Sequence, residues 1–440
     1  MITFLKKYRG AVVYILTVLL SILYIVFGSK IASRNFYFGN VSTLEYSATV
    51  LRVIDVQEDS YTLSGSDNAL TSEQVTFEAR VTSGSLKGIT VTATQQRDSI
   101  VAVMPKRVEA GDDVILSYAS DSELDENGNV VENGSYIWTF AEYNRIPGLL
   151  WLGGFFFFFL LLFGRKKGVN TIVSLVFTCL AIFAVFVPSI LSGYNIYLSS
   201  AITCLFIIVM TLLIVVGATK KGLCAAVGCA GGIAVTAVLT AVMSKALQLT
   251  GLVDEQSLYI TMLDNVQIDL KALLFGAIIV GAVGAVMDVS MSLSSSLLEV
   301  SEQMGDKKSF KKLFRSGMTI GRDIMGTMAN TLILAYIGSS LSVVILLVAS
   351  ETSLMSLFNR EMIVEEVMQA LTGSFGILFT IPLTSLFAAF LYSRKAKAGG
   401  GKNPPAKREQ RDKKRPKTTA QDDALQKYEN AFQKESKQRA

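Results

Sequence analysis

The chain has 440 residues, of which 51% are hydrophobic and 18% are charged, and its net charge is +5. Soluble proteins carry about 25% charged residues, so this composition excludes a soluble globular enzyme over most of the length and indicates a polytopic membrane protein. Histidine is absent and all four cysteines stand inside apolar runs. We therefore expect no metal site, no cofactor and no disulfide framework.

The first apolar run, 10–28, follows a short basic segment that contains Lys6, Lys7 and Arg9. Its length is about the 18 residues that a transmembrane helix requires. No small-residue cleavage site of the signal-peptide type follows it. Residues 1–29 are therefore predicted to form an uncleaved signal-anchor transmembrane helix.

The pattern changes between residues 30 and 147, where short alternating stretches are separated by turn residues. Apolar and polar residues alternate in 75–81 and again in 89–94, and this period of two is typical of half-buried strands. Less regular strands are predicted at 47–57, 113–119 and 135–143. Five strands in about 110 residues suit a small barrel or a sandwich. Residues 30–147 are thus predicted to be an extracytoplasmic all-β domain, with an OB-like barrel as the favoured form.

Residues 148–393 form a hydrophobic block with seven further apolar runs, so the chain is predicted to be an α-helical polytopic membrane protein with about eight transmembrane helices. The seven runs are 149–164, 169–191, 196–217, 223–247, 272–292, 320–349 and 371–392.

The charges of the connections agree with this count of spans. Lys and Arg cluster in alternate connections, at 165–167, 220–221 and 307–315, whereas the connections between them are mainly acidic. Cytoplasmic loops carry an excess of Lys and Arg. The distribution therefore predicts that both termini lie in the cytoplasm and that residues 30–147 lie outside.

The last segment, 394–440, is strongly basic and is predicted to be a disordered cytoplasmic tail. The alternative is that its positive charges contact anionic lipid head groups on the inner leaflet.

Two polar stripes cross the sixth and seventh predicted spans. Gly284, Asp288 and Ser292 step by four residues and share one helix face, and Asp288 is the only ionisable residue between Lys271 and Glu299. The candidate polar membrane site comprises Asp288, Ser292, Arg322, Asp323, Thr327 and Asn330. We expect Asp288 and Arg322 to pair across the two helices, because an unpaired charge in a membrane is costly.

Two interpretations of these stripes stay open: a helix-packing seam of small residues, and a site for an ion, a proton or a substrate. Glycines would let the helix backbones approach in either case. The predicted packing glycines are Gly281, Gly284, Gly317, Gly321 and Gly326.

Three stretches resemble one known family. They read GAVGAVMDVSMSLSSSL at 281–297, LFRSGMTIGRDIMGTMANTLILAYIG at 313–338, and TGSFGILFTIPLTSLFAAF at 372–390. Together they are similar to the YibE/F-like family of bacterial multi-pass membrane proteins. The resemblance is strong over 169–392 and looser over the strand domain. It implies location and topology, and it supplies no catalytic residues.

Two functions are compatible with the sequence. The first is a transporter or permease for a small solute or ion, with its polar site on the sixth and seventh helices. The alternative is a membrane scaffold or envelope assembly factor whose external domain binds a partner. An enzyme is not expected, since the sequence lacks a recognisable catalytic constellation. The expected partners are the lipid bilayer, an envelope component and a second copy of the chain, and no nucleic acid.

Overall fold

The computed structural model describes residues 9–34, 44–62, 69–98, 106–124, 130–253, 255–262, 267–305, 308–349 and 353–393. The predicted basic tail and the basic residues Lys6 and Lys7 lie outside these ranges. Helix α1, Arg9–Ala32, opens the described part and is followed by a strand domain and then by a helical block. Along the described chain a helix is thus followed by five strands and then by a helical block.

Five strands form the β domain: β1 Leu44–Thr62, β2 Ala69–Val81, β3 Thr90–Asp98, β4 Asp113–Leu124 and β5 Val130–Tyr143. They close a barrel in the order β1-β2-β3-β5-β4, in which β4 pairs with β1. The β3–β5 pair is parallel and the other pairs are antiparallel. The predicted five-stranded all-β domain is confirmed, and it is a barrel rather than a sandwich.

The barrel core follows from the alternation seen in the sequence. Val75, Phe77 and Ala79 are fully buried, and they occupy alternate positions on the inner face of β2. A buried amide, Gln95, closes one side of this core: its nitrogen donates to the Lys106 carbonyl at 2.9 Å and its oxygen accepts from the Val108 N–H at 3.0 Å. Both amide groups are thus satisfied, as a buried polar side chain requires.

In the described part of the chain, ten further helices follow the barrel, and a π-helical turn, Ile182–Phe186, separates the first two of them. Their bounds are α2 Ile146–Ala181, α3 Val187–Leu191, α4 Ile196–Val215, α5 Lys220–Ala246, α6 Glu255–Thr261, α7 Leu270–Met304, α8 Phe310–Ser339, α9 Leu341–Ala349, α10 Leu354–Phe358 and α11 Glu361–Ser393.

Within the described ranges, six helical stretches are long and apolar enough to cross a bilayer, against eight that the sequence predicts. The predicted runs 149–164 and 169–191 belong to one stretch, Ile146–Leu191. The predicted run 320–349 corresponds to α8 and α9, which are separated at Ser340. Polar side chains lower the hydropathy of α8, so it is not among the six.

The long stretch is broken at Arg165, whose backbone angles of φ 48° and ψ −127° are not helical. A Cβ added to Gly168 would lie 2.3 Å from the carbonyl oxygen of Leu160. Eight residues of straight helix would separate these positions by about 12 Å. The chain therefore turns back sharply at Arg165, and only glycine fits at position 168.

Helix α11 is the centre of the helical block. It packs against α5, α7 and α8, and α5 also packs against α7. Three of these helices supply the fully buried side chains Val286, Leu293, Leu297, Leu313 and Ile377 of the main apolar cluster. These four helices position every residue of the predicted polar site.

Candidate functional site

The predicted stripe on α7 lies on a face that no other described element covers. Asp288, Gly284 and Ser292 are exposed, whereas Val286 and Ser290 on the opposite face are fully buried. A Cβ added to Gly284 would meet nothing within 4 Å. The stripe is therefore an open polar face on an otherwise apolar helix.

Helix α8 is polarised in the same way. Leu313, Gly317 and Gly321 step by four residues and are buried, which fixes the opposite face outward. The exposed residues include the four that the sequence singled out, namely Arg322, Asp323, Thr327 and Asn330. All six predicted site residues are thus exposed polar side chains on two neighbouring helices.

Two contacts define the antiparallel register of α7 and α8. A Cβ on Gly317 would lie 3.0 Å from Leu297, and one on Gly281 would lie 3.3 Å from the Tyr336 hydroxyl. Interpolation between these contacts places Asp288 of α7 beside Thr327 of α8. Arg322 then lies beside the position of α7 that is about five residues after Asp288. At 1.5 Å per residue this offset is about 7 Å.

The predicted pair between Asp288 and Arg322 is consequently wrong for this structure. No ion pair joins the two side chains, although both are described and exposed. The sequence placed them at similar depth because it could not supply the register. The contacts of Gly317 and Gly281 correspond to an offset of about five residues between Asp288 and Arg322.

The five predicted packing glycines fall into two groups. Gly317 and Gly321 are buried, and a Cβ on them would lie 2.6 Å from Ser385 Oγ and 2.2 Å from Ile381 Cγ2. Their nearest neighbour is therefore α11, a partner helix that the sequence had not assigned. Around Gly284 and Gly326 the space is open, and Gly281 contacts only side-chain ends. Glycine thus permits close packing at two of the five positions.

The closest helix contact was missed by sequence reasoning. Gly228 and Gly232 of α5 face Thr384 and Thr380 of α11, where an added Cβ would stand 1.8 Å from each threonine oxygen. The signal was present, since Gly228 and Gly232 have the four-residue spacing of small residues that favours helix contact. The hydroxyls of Thr384 and Ser385 are buried, and no described group forms a hydrogen bond with either.

A second missed contact closes one end of the helical block. The carboxylate of Glu361, at the first residue of α11, accepts hydrogen bonds from the Gly251 N–H at 2.8 Å and the Thr250 hydroxyl at 2.9 Å. The Thr250 N–H donates to it as well. These groups are about 110 residues apart in sequence, and no local pattern announces the contact.

The comparison with protein families bears on the same helices. The family model described as YibE/F-like protein matches residues 152–394, which is more than half of the chain. The chain belongs to the YibE/F-like family. This match confirms the resemblance drawn from the three stretches, and it supports a multi-pass membrane protein. All six predicted site residues lie within the matched range, whereas the barrel lies outside it. No curated protein and no solved structure matches the chain.

Proposed function

We propose that this YibE/F-like protein carries a small solute or ion across a bacterial cell membrane along the open polar faces of α7 and α8. The observation that carries the proposal is the exposure of Asp288 on an apolar, membrane-length helix. Arg322 and Asp323 are likewise exposed on the neighbouring helix. Ionisable residues within membrane helices mark solute and proton pathways far more often than lipid-facing surfaces.

Contact between these polar faces and lipid would be energetically unfavourable. A charged side chain at the centre of a membrane helix costs about 2.5–3.5 kcal/mol on insertion scales. Asp288 has no cationic partner that would offset this cost, among the residues described. The face must therefore border water or other polar groups, which is what a solute pathway supplies.

The proposal assumes eight spans with both termini in the cytoplasm. The reversal at Arg165 supports it, because it divides Ile146–Leu191 into two membrane-length parts. Helices α8 and α9 then supply the seventh span. With this count the basic connections, such as 165–167, all lie on one side, as the positive-inside rule requires.

Water access to the polar faces tests the proposal. Single cysteines at Ser292 and Thr327, in a chain without its four native cysteines, should react in cells with a charged, hydrophilic thiol reagent. The matched control is Val238→Cys, because Val238 is 65% exposed on α5 among apolar residues and should face lipid. Labelling of Val238→Cys alone, or of none of the three, would overturn the pathway.

The second candidate function is a scaffold whose barrel binds an envelope partner, and one observation favours it. The outer face of β2 and β3 consists of polar cross-strand pairs, Thr76 with Thr94, Glu78 with Thr92 and Arg80 with Thr90. The strand order is that of an OB barrel, a fold that binds ligands on this face.

A photo-crosslinking residue at Thr92 tests this candidate, with Glu109 as the control position because its exposed side chain lies outside both strands. An adduct of defined mass from Thr92 alone supports a docking face. Identical patterns from the two positions contradict it.

A further inference from the structure

A cavity lies where α5 ends and α7 begins, whereas Asp288 lies near the middle of α7. Its volume is about 440 Å³ and it is open on one side. Lys271 and Asp288 are 17 residues apart in one helix, which separates them by about 25 Å. The cavity is therefore distinct from the polar faces discussed above. Its lining includes Tyr197, Ser244, Lys245, Gln248, Lys271 and Phe275.

Two lysines line this cavity, and neither has a counter-ion among the residues that the structure describes. Lys245, in the last turn of α5, and Lys271, in the first turn of α7, form no ion pair with any residue that the structure describes. Ion pairs elsewhere, such as Arg52 with Glu78, show that exposed cations of this chain do pair when a carboxylate is in reach.

Two neighbouring carboxylates of the described part, Asp269 and Glu361, accept hydrogen bonds from other groups. Asp269 caps α7, and its Oδ1 accepts from the backbone N–H groups of Lys271 at 3.0 Å and Ala272 at 3.3 Å. Glu361 is held by Thr250 and Gly251. Neither Asp269 nor Glu361 forms an ion pair with Lys245 or Lys271, so among the described residues both ammonium groups are left to bind an added anion.

The remaining lining supplies uncharged donors and an apolar wall. Ser244, Tyr197 and Gln248 each carry a group that can donate a hydrogen bond to an oxygen anion. The rings of Tyr197 and Phe275 are in contact, with centroids 4.8 Å apart, and they close one side. A phosphate group is suited by two cations together with several neutral donors, because hydrogen bonds between charged groups are stronger than those between neutral groups.

We propose that this cavity is an anion site that binds a phosphate group through Lys245 and Lys271. The group belongs either to a free phosphate compound or to the head group of an anionic lipid, because both present the same oxygens. In the proposed topology the cavity opens to the outer side of the membrane. Lys245 and Lys271 both line it.

The experiment uses the full-length chain in nanodiscs of phosphatidylcholine, with inorganic phosphate as the probe and sodium chloride at matched ionic strength as the reference. Phosphate should raise the Tm in a saturable manner, because a ligand that binds only the folded state stabilises it. The double variant Lys245→Gln/Lys271→Gln should weaken the apparent affinity at least about tenfold. The matched control is Lys311→Gln/Lys312→Gln, which removes the same charge from exposed positions of α8.

A second arm identifies the source of the phosphate group. Native mass spectrometry after incorporation into phosphatidylglycerol nanodiscs should show lipid retained by the wild-type chain and lost from the double variant if the ligand is a head group. A Tm response to inorganic phosphate without lipid retention assigns a free compound. The double variant Lys245→Arg/Lys271→Arg should show the same response as the wild-type chain, whether that response is the Tm rise or the lipid retention. Failure of both responses in a folded wild-type chain, or equal responses in the Lys→Gln variant, would overturn the site.

This experiment is independent of the pathway on α7 and α8. Loss of cysteine labelling at Ser292 and Thr327 would end the transport proposal and leave the phosphate response untouched.

Discussion

Gly232 and Thr380 lie at the closest contact between two membrane-length helices. A Cβ on Gly232 would stand 1.8 Å from Thr380 Oγ1 and 2.8 Å from the carbonyl oxygen of Gly376. Thr380 cannot move aside freely, because its hydroxyl donates to that same Gly376 carbonyl at 2.8 Å. The contact between α5 and α11 therefore requires a glycine at position 232.

We expect Gly232→Ala to destabilise the chain by about 1–3 kcal/mol, the usual cost of overpacking a well-packed interior. The measurement is thermal unfolding in detergent, followed by the loss of a monodisperse chromatographic peak. The matched control is Gly326→Ala, where a Cβ would meet nothing within 4 Å. This control should be neutral or gain up to about 1 kcal/mol from helix propensity. Equal effects of the two substitutions would contradict the contact.

Glu361→Gln should destabilise the junction between α11 and the segment at Thr250 and Gly251. The carboxylate accepts hydrogen bonds from two backbone N–H groups and one hydroxyl. Hydrogen bonds to charged groups contribute about 1.5–3 kcal/mol each, so a loss of about 2 kcal/mol is expected. Hydrogen exchange at Gly251 measures it locally. Glu366→Gln on the same helix is the control, and an unchanged Gly251 exchange rate in Glu361→Gln would contradict the contact.

Asp288 and Arg322 should be energetically independent. Because the register offsets them by about 7 Å along the helices, a double-mutant cycle of Asp288→Asn and Arg322→Gln should give a coupling free energy below about 0.5 kcal/mol. The measurement is the free energy of unfolding of the wild type, both single variants and the double variant. A coupling above about 1 kcal/mol would restore the pair that the sequence predicted.

The barrel allows a pH test. The hydrogen bonds and charge of Arg52 lower the pKa of Glu78 below its ordinary value of 4.5. This pairing therefore favours the folded barrel above the ordinary pKa, and its contribution disappears as the pH falls through the lowered one. In isolated residues 36–145, NMR titration should show the pKa of Glu78 rising in Arg52→Gln and staying unchanged in Lys87→Gln. A Glu78 pKa that is the same in all three proteins would contradict the pairing.

The orientation of the chain is testable by labelling. Single cysteines at Glu109 and Ser309 should behave oppositely towards an impermeant thiol reagent. Glu109→Cys in the barrel should react in whole cells, whereas Ser309→Cys, at the N-cap of α8, should react only after permeabilisation. The reverse pattern would mean that the count of spans is wrong by one.

Periodicity predicted the strands of the barrel and the main apolar helices, but not where those helices break. The alternation in 75–81 predicted β2 because a strand presents successive side chains to opposite faces, and Val75, Phe77 and Ala79 are indeed buried. The apolar runs predicted membrane-length helices because a bilayer tolerates little else. The stripe through Gly284, Asp288 and Ser292 was predictable because residues four apart share a helix face. Each of these features depends on residues close together in the chain.

Contacts between distant segments were decided only by the tertiary structure. Gly317 and Gly321 pack against α11, and Glu361 accepts hydrogen bonds from Thr250 and Gly251. No local sequence pattern encodes either contact. The offset between Asp288 and Arg322 depends on where α7 and α8 touch, because any register satisfies their individual sequences. The sequence by itself thus determined which residues are polar, small or buried on each element. Their partners were set by the packing of α5, α7 and α8 around α11, where the space available for a Cβ decides how close two helices come.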